Sequence, residues 1–181
     1  MKKAFVMPTG DEIQNGIVVD CDSPEIMGQL IRRFPEIEVT RLAPLRDGEE
    51  TIKEALKQVL TAAPDLVVFI GGSGGGHRHS PSLGMDYTQS ALESFLSTKA
   101  VREIYGKNGH LWCKLLCGKV EETWVINVPG PFAEAKAAME AFLHSYSPAA
   151  SLSEVNEAMA LAVYAQYPAK TVEKAVGMEC L

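Results

Sequence analysis

The sequence predicts an α/β domain in which a largely parallel sheet has helices on both sides and a ligand site at one edge. Apolar segments typical of buried strands alternate along the chain with amphipathic segments of helical periodicity. The most apolar segment, Leu66-Val67-Val68-Phe69-Ile70, runs directly into Gly71-Gly72-Ser73-Gly74-Gly75-Gly76. A helix start at Asp86 follows, and open α/β sheets usually bind ligands where buried strands end in this way.

Turn and capping residues set the predicted boundaries of each element. Pro8, Pro35 and Pro64 end or separate the segments around them, because proline interrupts helices and central strands. The predicted helix starts are Ser23 with Pro24, Asp47 with Glu50, Asp86, and Ser151 with Glu154. The predicted strands cover 3–8, 37–42, 65–70, 111–116 and 123–128, and the predicted helices cover 24–34, 47–60, 86–97, 132–146 and 151–167.

Composition bounds the class of protein. The 181 residues have a formal net charge of −6, which argues against a nucleic-acid or anionic-membrane surface but leaves room for an anionic small ligand. No apolar segment reaches the roughly 20 residues of a spanning helix. The N-terminus lacks the apolar length of a signal peptide. The sequence therefore predicts a cytoplasmic protein whose thiols are reduced (Cys21, Cys113, Cys117 and Cys180).

A change in composition divides the chain into residues 1–147, an α/β domain, and residues 148–181, a helical C-terminal tail. The tail is rich in alanine, and Ser151 opens its predicted helix. Two placements of this helix are open: against a neighbouring subunit, or on its own domain.

The glycine-rich stretch matches one known motif and fails two others. No Lys-Ser or Lys-Thr follows it, so it is not a Walker A loop, and Gly72-x-Gly74-x-x-His77 lacks the third glycine of a dinucleotide fingerprint. Residues 71–75 do match Gly-x-Ser-x-Gly, which makes a serine hydrolase using Ser73 an alternative. That motif requires a helix immediately after the serine, and residues 76–81 are a poor helix start.

Asp47 and Asp86 can each be explained in two ways. A helix N-cap alone accounts for an aspartate at either position. Alternatively, two helix N-termini with glycine amides between them form a pocket for a phosphate-like anion. Carboxylates beside such an anion require a bridging divalent cation or a role in proton transfer. Thr9-Gly10-Asp11-Glu12 and Pro129-Gly130-Pro131 also follow strands, so four loops are expected to meet at this edge.

A zinc site is a weaker alternative. Its candidate ligands are His77, His79, His110, Cys113 and Cys117, and their spacing matches no structural zinc motif. Cys113 and Cys117 are better explained as small core residues on one face of a strand.

Several of these segments together resemble the motifs of the molybdopterin-binding family of molybdenum-cofactor biosynthesis proteins. Residues 9–13, with Gly16 and Asp20, are similar to its first motif, and residues 46–49 to its second. Residues 65–72 with 86–93 are similar to its central motif, and residues 128–131 to its proline–glycine turn. The similarity spans residues 4 to about 143.

The resemblance implies a three-layer αβα domain with a mostly parallel mixed sheet, commonly a homotrimer, that holds the pterin and its phosphate on its loops. The residues that it implies for catalysis are Asp47 and Asp86, with magnesium as their metal. The implied ligands are molybdopterin and ATP. The implied binding residues are Thr9, Gly10, Asp11, Glu12, Gly71, Gly72, Ser73, Gly74, Tyr87, Thr88, Pro129 and Gly130.

The resemblance leaves the reaction open. The single-domain length is similar to that of the molybdopterin adenylyltransferases, which we favour, whereas Thr-Gly-Asp-Glu and Asp-Tyr-Thr look more like the central domain of the molybdenumtransferases. Two features depart from the family pattern: Asp22 replaces a frequent asparagine, and residues 75–85 form a longer arm containing His77, Arg78 and His79. A non-catalytic pterin- or nucleotide-binding module is therefore the alternative.

Overall fold

A computed structural model describes residues 1–74, 86–107, 109–167 and 172–178. Seven strands and six helices follow one another in these ranges. The strands are β1 Lys3–Pro8, β2 Glu38–Arg41, β3 Leu66–Ile70, β4 Thr98–Gly106, β5 Leu111–Val120, β6 Thr123–Val128 and β7 Val172–Met178. The helices are α1 Asp11–Gln14, α2 Asp22–Arg33, α3 Glu49–Leu60, α4 Tyr87–Phe95, α5 Phe132–Ser145 and α6 Leu152–Tyr164. None of the described helices is long and apolar enough to cross a bilayer.

The strands form one mixed sheet in the order β2-β1-β3-β6-β5-β4-β7. The first four are parallel, and β5, β4 and β7 continue the sheet through antiparallel pairings. Pro8, Ile70 and Val128 lie side by side in the register of β1, β3 and β6. The loops that follow these three strands therefore leave the sheet at one edge, as the sequence predicts.

Helices cover both faces of the sheet, which confirms the predicted three-layer αβα fold. Successive residues of β3 point to opposite sides, as a pleated strand requires. Leu66, Val68 and Ile70 pack in a core with α2, α5 and α6, and Val67 and Phe69 pack with α3 and α4. All five are buried, so β3 is the central strand that its continuous apolar sequence predicts.

The predicted helix starts are wrong by one or two residues at two positions. Helix α2 begins at Asp22, so Ser23 is not its N-cap, and the Ser23 amide instead donates to the Asp20 carboxylate at 2.9 Å. Helix α3 begins at Glu49 after Gly48, so Asp47 does not cap it. Asp86 does occupy the N-cap position of α4, but its side chain makes no capping hydrogen bond. Capping therefore does not explain the aspartate at position 47.

The C-terminal segment packs on the rest of the chain. Val155, Met159 and Val163 of α6 are buried in the same core as α2 and α5, and the Asn156 amide donates to the Ala100 carbonyl of β4 at 2.6 Å. The segment also contributes β7, which pairs with β4, so it contains a strand as well as the predicted helix. Strand β4 and the short helix α1 are likewise elements that the sequence pattern does not indicate.

We expect Phe69→Ala to lower the free energy of unfolding by about 3–5 kcal/mol, because it leaves a cavity in the core beneath α3 and α4. Urea denaturation of the wild type and the variant measures the change. Phe132→Ala is the matched control, since Phe132 is 48% exposed and its truncation leaves no cavity. Equal effects of the two substitutions would contradict the core assignment.

The Asp22 carboxyl is expected to make the stability of the protein depend on pH. Burial and the charge of Asp20 raise the pKa of the Asp22 carboxyl to about 6, compared with about 3.9 in an unfolded chain. Between about pH 4 and 6, the folded protein thus keeps a proton on Asp22 that the unfolded chain has released. The free energy of unfolding therefore falls as the pH rises through this range. After allowance for partial exposure, we expect Asp22→Asn to stabilise the protein by about 1 kcal/mol at pH 7.5 and negligibly at pH 3.

Chemical denaturation at the two pH values tests this expectation. A stability gain of equal size at both would show that ionisation of Asp22 is not its cause.

Candidate functional site

Two buried threonines tie together three of the loops at the carboxyl edge of the sheet. The Thr9 amide and hydroxyl both donate to the Ile70 carbonyl, each at 2.9 Å. The Thr88 hydroxyl, at the start of α4, donates to the Thr9 hydroxyl at 2.9 Å. Thr9 is 6% exposed and Thr88 is 1% exposed. Both side chains therefore connect these loops through hydrogen bonds on their buried side.

Gly71 and Gly72 let the backbone of the β3 loop pass directly over these threonines. A Cβ on Gly71 would lie 3.1 Å from the Thr9 carbonyl oxygen, and one on Gly72 would lie 2.4 Å from the Thr88 hydroxyl oxygen. Both glycines also have positive φ angles, of 96° and 60°. The Gly71 amide donates to the Val128 carbonyl at 3.0 Å, and the Gly72 carbonyl accepts from the Gln89 amide at 3.2 Å. Only a residue without a side chain fits either position.

The next two residues of the loop lie against β5. Ser73 is 8% exposed, and its carbonyl accepts the Lys114 amide. Gly74 has a φ of 101°, and a Cβ there would lie 3.4 Å from the Lys114 amide nitrogen. Burial of Ser73 does not favour the hydrolase alternative, because a nucleophile elbow exposes its serine.

The loops after β1 and before α3 join through a pair of aspartates. The Asp11 amide donates to the Asp47 carboxylate at 3.4 Å, and the Asp47 amide donates to the Asp11 carboxylate at 3.3 Å. The Gly10 amide adds a bond of 3.0 Å to the Leu45 carbonyl. Partial desolvation, with the charges of Glu12 and Asp11, raises the pKa of Asp47. This corner of the site is acidic.

The packing of α4 beside α3 places Asp86 and Tyr87 at the carboxyl edge of the sheet. Ser90 of α4 donates a hydrogen bond to Glu49, the first residue of α3, so the N-terminal ends of the two helices are adjacent. Asp86 immediately precedes α4, and Asp47 lies two residues before α3. The two predicted catalytic aspartates therefore lie on neighbouring helix starts.

Pro129 and Gly130 complete the edge. Pro129 is buried and Gly130 is exposed, and a Cβ on Gly130 would lie 3.8 Å from the Gly71 Cα. All four predicted loops therefore meet.

The structure adds a cavity of about 250 Å³ beside the N-terminus of α4, which the sequence analysis did not identify. Lys114 is the member of its lining that a sequence could have indicated, because it interrupts the otherwise apolar residues 111–117 of β5. Its ammonium lies 2.8 Å from the Glu93 carboxylate and 3.4 Å from that of Glu103. The cavity is lined by Asp86, Tyr87, Gln89, Ser90, Glu93, Leu111 and Lys114.

The zinc alternative finds no support. Cys113 and Cys117 are buried core residues, and burial raises the pKa of the Cys117 thiol. In the described ranges, no three His, Cys, Asp or Glu side chains form a group that could hold a metal ion. His77, Arg78 and His79, together with Gly75, Gly76 and Cys180, lie outside the described residues.

We expect Gly72→Ala to destabilise the protein by roughly 2–5 kcal/mol, the sum of a left-handed backbone and a clash with Thr88. Gly16→Ala is the matched control, since its φ is 71° but nothing lies within 4 Å of the added Cβ, and it should cost only about 1–2 kcal/mol. Urea denaturation compares the two. Similar losses would show that the loop does not need its close approach to α4.

Solved structures share this architecture. The chain is similar to the molybdopterin biosynthesis enzyme MoaB of Thermus thermophilus, at 19% identity and a TM-score of 0.63, over 91% of this chain and 98% of that one. It is also similar to CinA of Thermoplasma acidophilum (20% identity, TM-score 0.59, 78% and 95% covered) and to the Mog protein of Mycobacterium ulcerans (20%, 0.53, 72% and 84%). At these identities the likeness establishes the fold.

The sequence itself identifies the family. No curated protein matches the chain significantly. The model of the family described as a probable molybdopterin binding domain matches residues 5–149, which include all four loops of the site. The chain therefore belongs to the molybdopterin-binding domain family of molybdenum-cofactor biosynthesis.

Proposed function

We propose that this protein transfers an adenylyl group from ATP to molybdopterin. The observation that supports the proposal most directly is the meeting of four loops at one edge, with the Asp11–Asp47 pair and Asp86 around a glycine-rich turn. Family membership supports the pterin, and the fold shared with the molybdopterin biosynthesis enzyme MoaB of Thermus thermophilus supports an enzyme.

Phosphate groups are expected at the glycine loop. The N-terminus of α4 follows this loop, and helix N-termini attract anions through their unpaired amides and dipole. The Gly71 amide is already bonded to Val128, so we assign phosphate binding to the amides of Gly72, Ser73 and Gly74.

Magnesium fits the donors at the acidic corner. Mg²⁺ is commonly held by one or two carboxylates together with substrate phosphates and water. Asp47 and Asp11 offer such a pair. Partial burial, followed by the charges of Glu12 and Asp11, raises the pKa of Asp47, and a cation would offset these charges. When bound, the ion would neutralise charge on the polyphosphate. Asp86, at the start of α4, would share in holding this ion, because a carboxylate beside phosphates requires a bridging cation.

The proposed reaction is a displacement at phosphorus. An oxygen of the pterin phosphate attacks the α-phosphorus of ATP, and the bond from that phosphorus to the bridging oxygen of the β-phosphate breaks. The products are adenylylated pterin and pyrophosphate. The protein contributes mainly by positioning the two phosphates and offsetting their charge, as in other phosphoryl-transfer sites.

A non-catalytic pterin-binding module is the second candidate. The reciprocal hydrogen bonds between Asp11 and Asp47 favour it, since both carboxylates already have protein partners. Such a module would bind the pterin without forming pyrophosphate. We further propose that either form acts as a homotrimer, with the exposed apolar side chains of Ile17 and Val19 available for contact between copies.

We expect Asp47→Asn and Asp86→Asn each to reduce adenylyl transfer at least 100-fold while the variants still bind molybdopterin, because charge stabilisation of this kind is worth several kcal/mol in the transition state. Adenylylated pterin and pyrophosphate are measured after incubation with molybdopterin, ATP and magnesium. Glu54→Gln is the control, since Glu54 is an exposed residue of α3 away from the loops.

Three results would contradict parts of this proposal. If the wild type binds the pterin but forms no pyrophosphate, the protein is the binding module. If both variants keep full activity, Asp47 and Asp86 have no role in catalysis. Labelling of Ser73 by a fluorophosphonate would favour the hydrolase.

A further inference from the structure

The side-chain amide of Gln89 is buried without a hydrogen-bond partner. Gln89 lies in the first turn of α4 and is 3% exposed. Its backbone amide donates to the Gly72 carbonyl, but neither the Oε1 nor the Nε2 atom of its side chain has a partner. Buried polar side chains nearly always have one, and a group that lacks a partner calls for a specific explanation.

Gln89 lines the cavity of about 250 Å³ beside the glycine loop. This volume is below the roughly 300–1,000 Å³ of sites for drug-sized ligands, so it suits a single ring system better than a whole nucleotide. Tyr87 and Leu111 contribute apolar surface to the same lining, which a flat ring can contact.

The charges around the cavity argue against a phosphate there. Among the described residues of its lining, Lys114 is the cation, and the carboxylates of Glu93 and Glu103 lie 2.8 and 3.4 Å from its ammonium. Asp86 adds a further acidic residue to the lining. Of the ion-paired groups that the structure describes here, a phosphate would meet two carboxylates and one ammonium, whereas an uncharged ring would meet no such repulsion. The cavity and the glycine loop are therefore suited to different parts of one ligand.

We infer that Gln89 recognises the edge of a planar nitrogen heterocycle in this cavity. A carboxamide presents one acceptor and two donor hydrogens, so it can form a paired contact with a ring edge that has an N–H next to an acceptor. The lactam edge of a pterin has this pattern, and so does the amino edge of adenine. The inference rests on the proposed function, in which both rings are substrates, and it assigns ring specificity to a residue of α4.

The unpartnered amide of Gln89 predicts opposite effects on the stability of the free protein and on ligand binding. Both polar atoms are covered in this structure, so the side chain must rotate to meet a ligand. Binding would then supply the hydrogen bonds that the free protein lacks, and removing the amide should favour the free protein while weakening the complex.

Gln89→Met tests the inference because methionine has nearly the same shape without the amide. Gln58→Met is the matched control, at an exposed position of α3. Titration calorimetry measures binding of three probes: 6-hydroxymethylpterin, adenosine monophosphate and inorganic pyrophosphate. Thermal denaturation of the free proteins is measured alongside. Gln89→Glu, which keeps the side-chain length and removes the donor, serves if the methionine variant does not fold.

We expect Gln89→Met to weaken binding of one of the two ring probes about tenfold or more, the value of one or two lost hydrogen bonds. The probe that is weakened identifies the ring that occupies the cavity. Pyrophosphate binding should not change, and the melting temperature of the free variant should stay the same or rise. Gln58→Met should match the wild type throughout.

If Gln89→Met binds both ring probes with unchanged affinity, whatever its melting temperature, the inference is overturned and the proposed adenylyl transfer is not contradicted. Binding of a ring probe that depends on Gln89, in a protein that forms no adenylylated pterin, would instead uphold the inference and contradict the proposed reaction. A wild-type protein that binds neither ring probe would contradict both.

Discussion

The carboxyl edge of the sheet depends on one buried hydrogen-bond chain, which runs from Thr88 through Thr9 to the Ile70 carbonyl. These bonds join the end of β1 to the end of β3 and to the first turn of α4, which lie 61 and 79 residues further along the chain. Because the polar atoms are nearly excluded from water, losing one partner would leave the other unsatisfied. These hydrogen bonds thus fix the spacing of the loops that they join.

The same constraint explains the two glycines at the site. A side chain at Gly72 would collide with Thr88, and one at Gly71 would be tightly packed against Thr9 on a backbone with a positive φ. The glycines therefore serve the packing of the loop on its threonine support. Any role of the loop in binding phosphate follows from this close packing, since it holds the loop at the start of α4.

Charge is distributed unevenly along the edge. The Asp11–Asp47 corner has carboxylates close to one another, and partial burial together with the charges of Glu12 and Asp11 raises the pKa of Asp47. At the other end, Lys114 forms ion pairs with Glu93 and Glu103, and Gln89, whose buried side-chain amide is unpartnered, lines the neighbouring cavity. The two ends suit different ligand groups: a cation with phosphates at the first, and an uncharged ring at the second.

By itself, the sequence determined the fold class, the central strand β3 and the four loops, because these depend on local patterns such as a run of apolar residues ending in glycine. It misplaced the starts of α2 and α3, where Ser23 and Asp47 resemble caps. The Ser23 amide donates to Asp20 three residues earlier, and Asp47 pairs with Asp11, 36 residues away, through a long-range contact that local capping preference does not indicate. Only the tertiary structure decided that Gln89 and Lys114, 25 positions apart in the sequence, line one cavity. Their meeting depends on α4 packing beside β5, a long-range contact that periodicity does not encode.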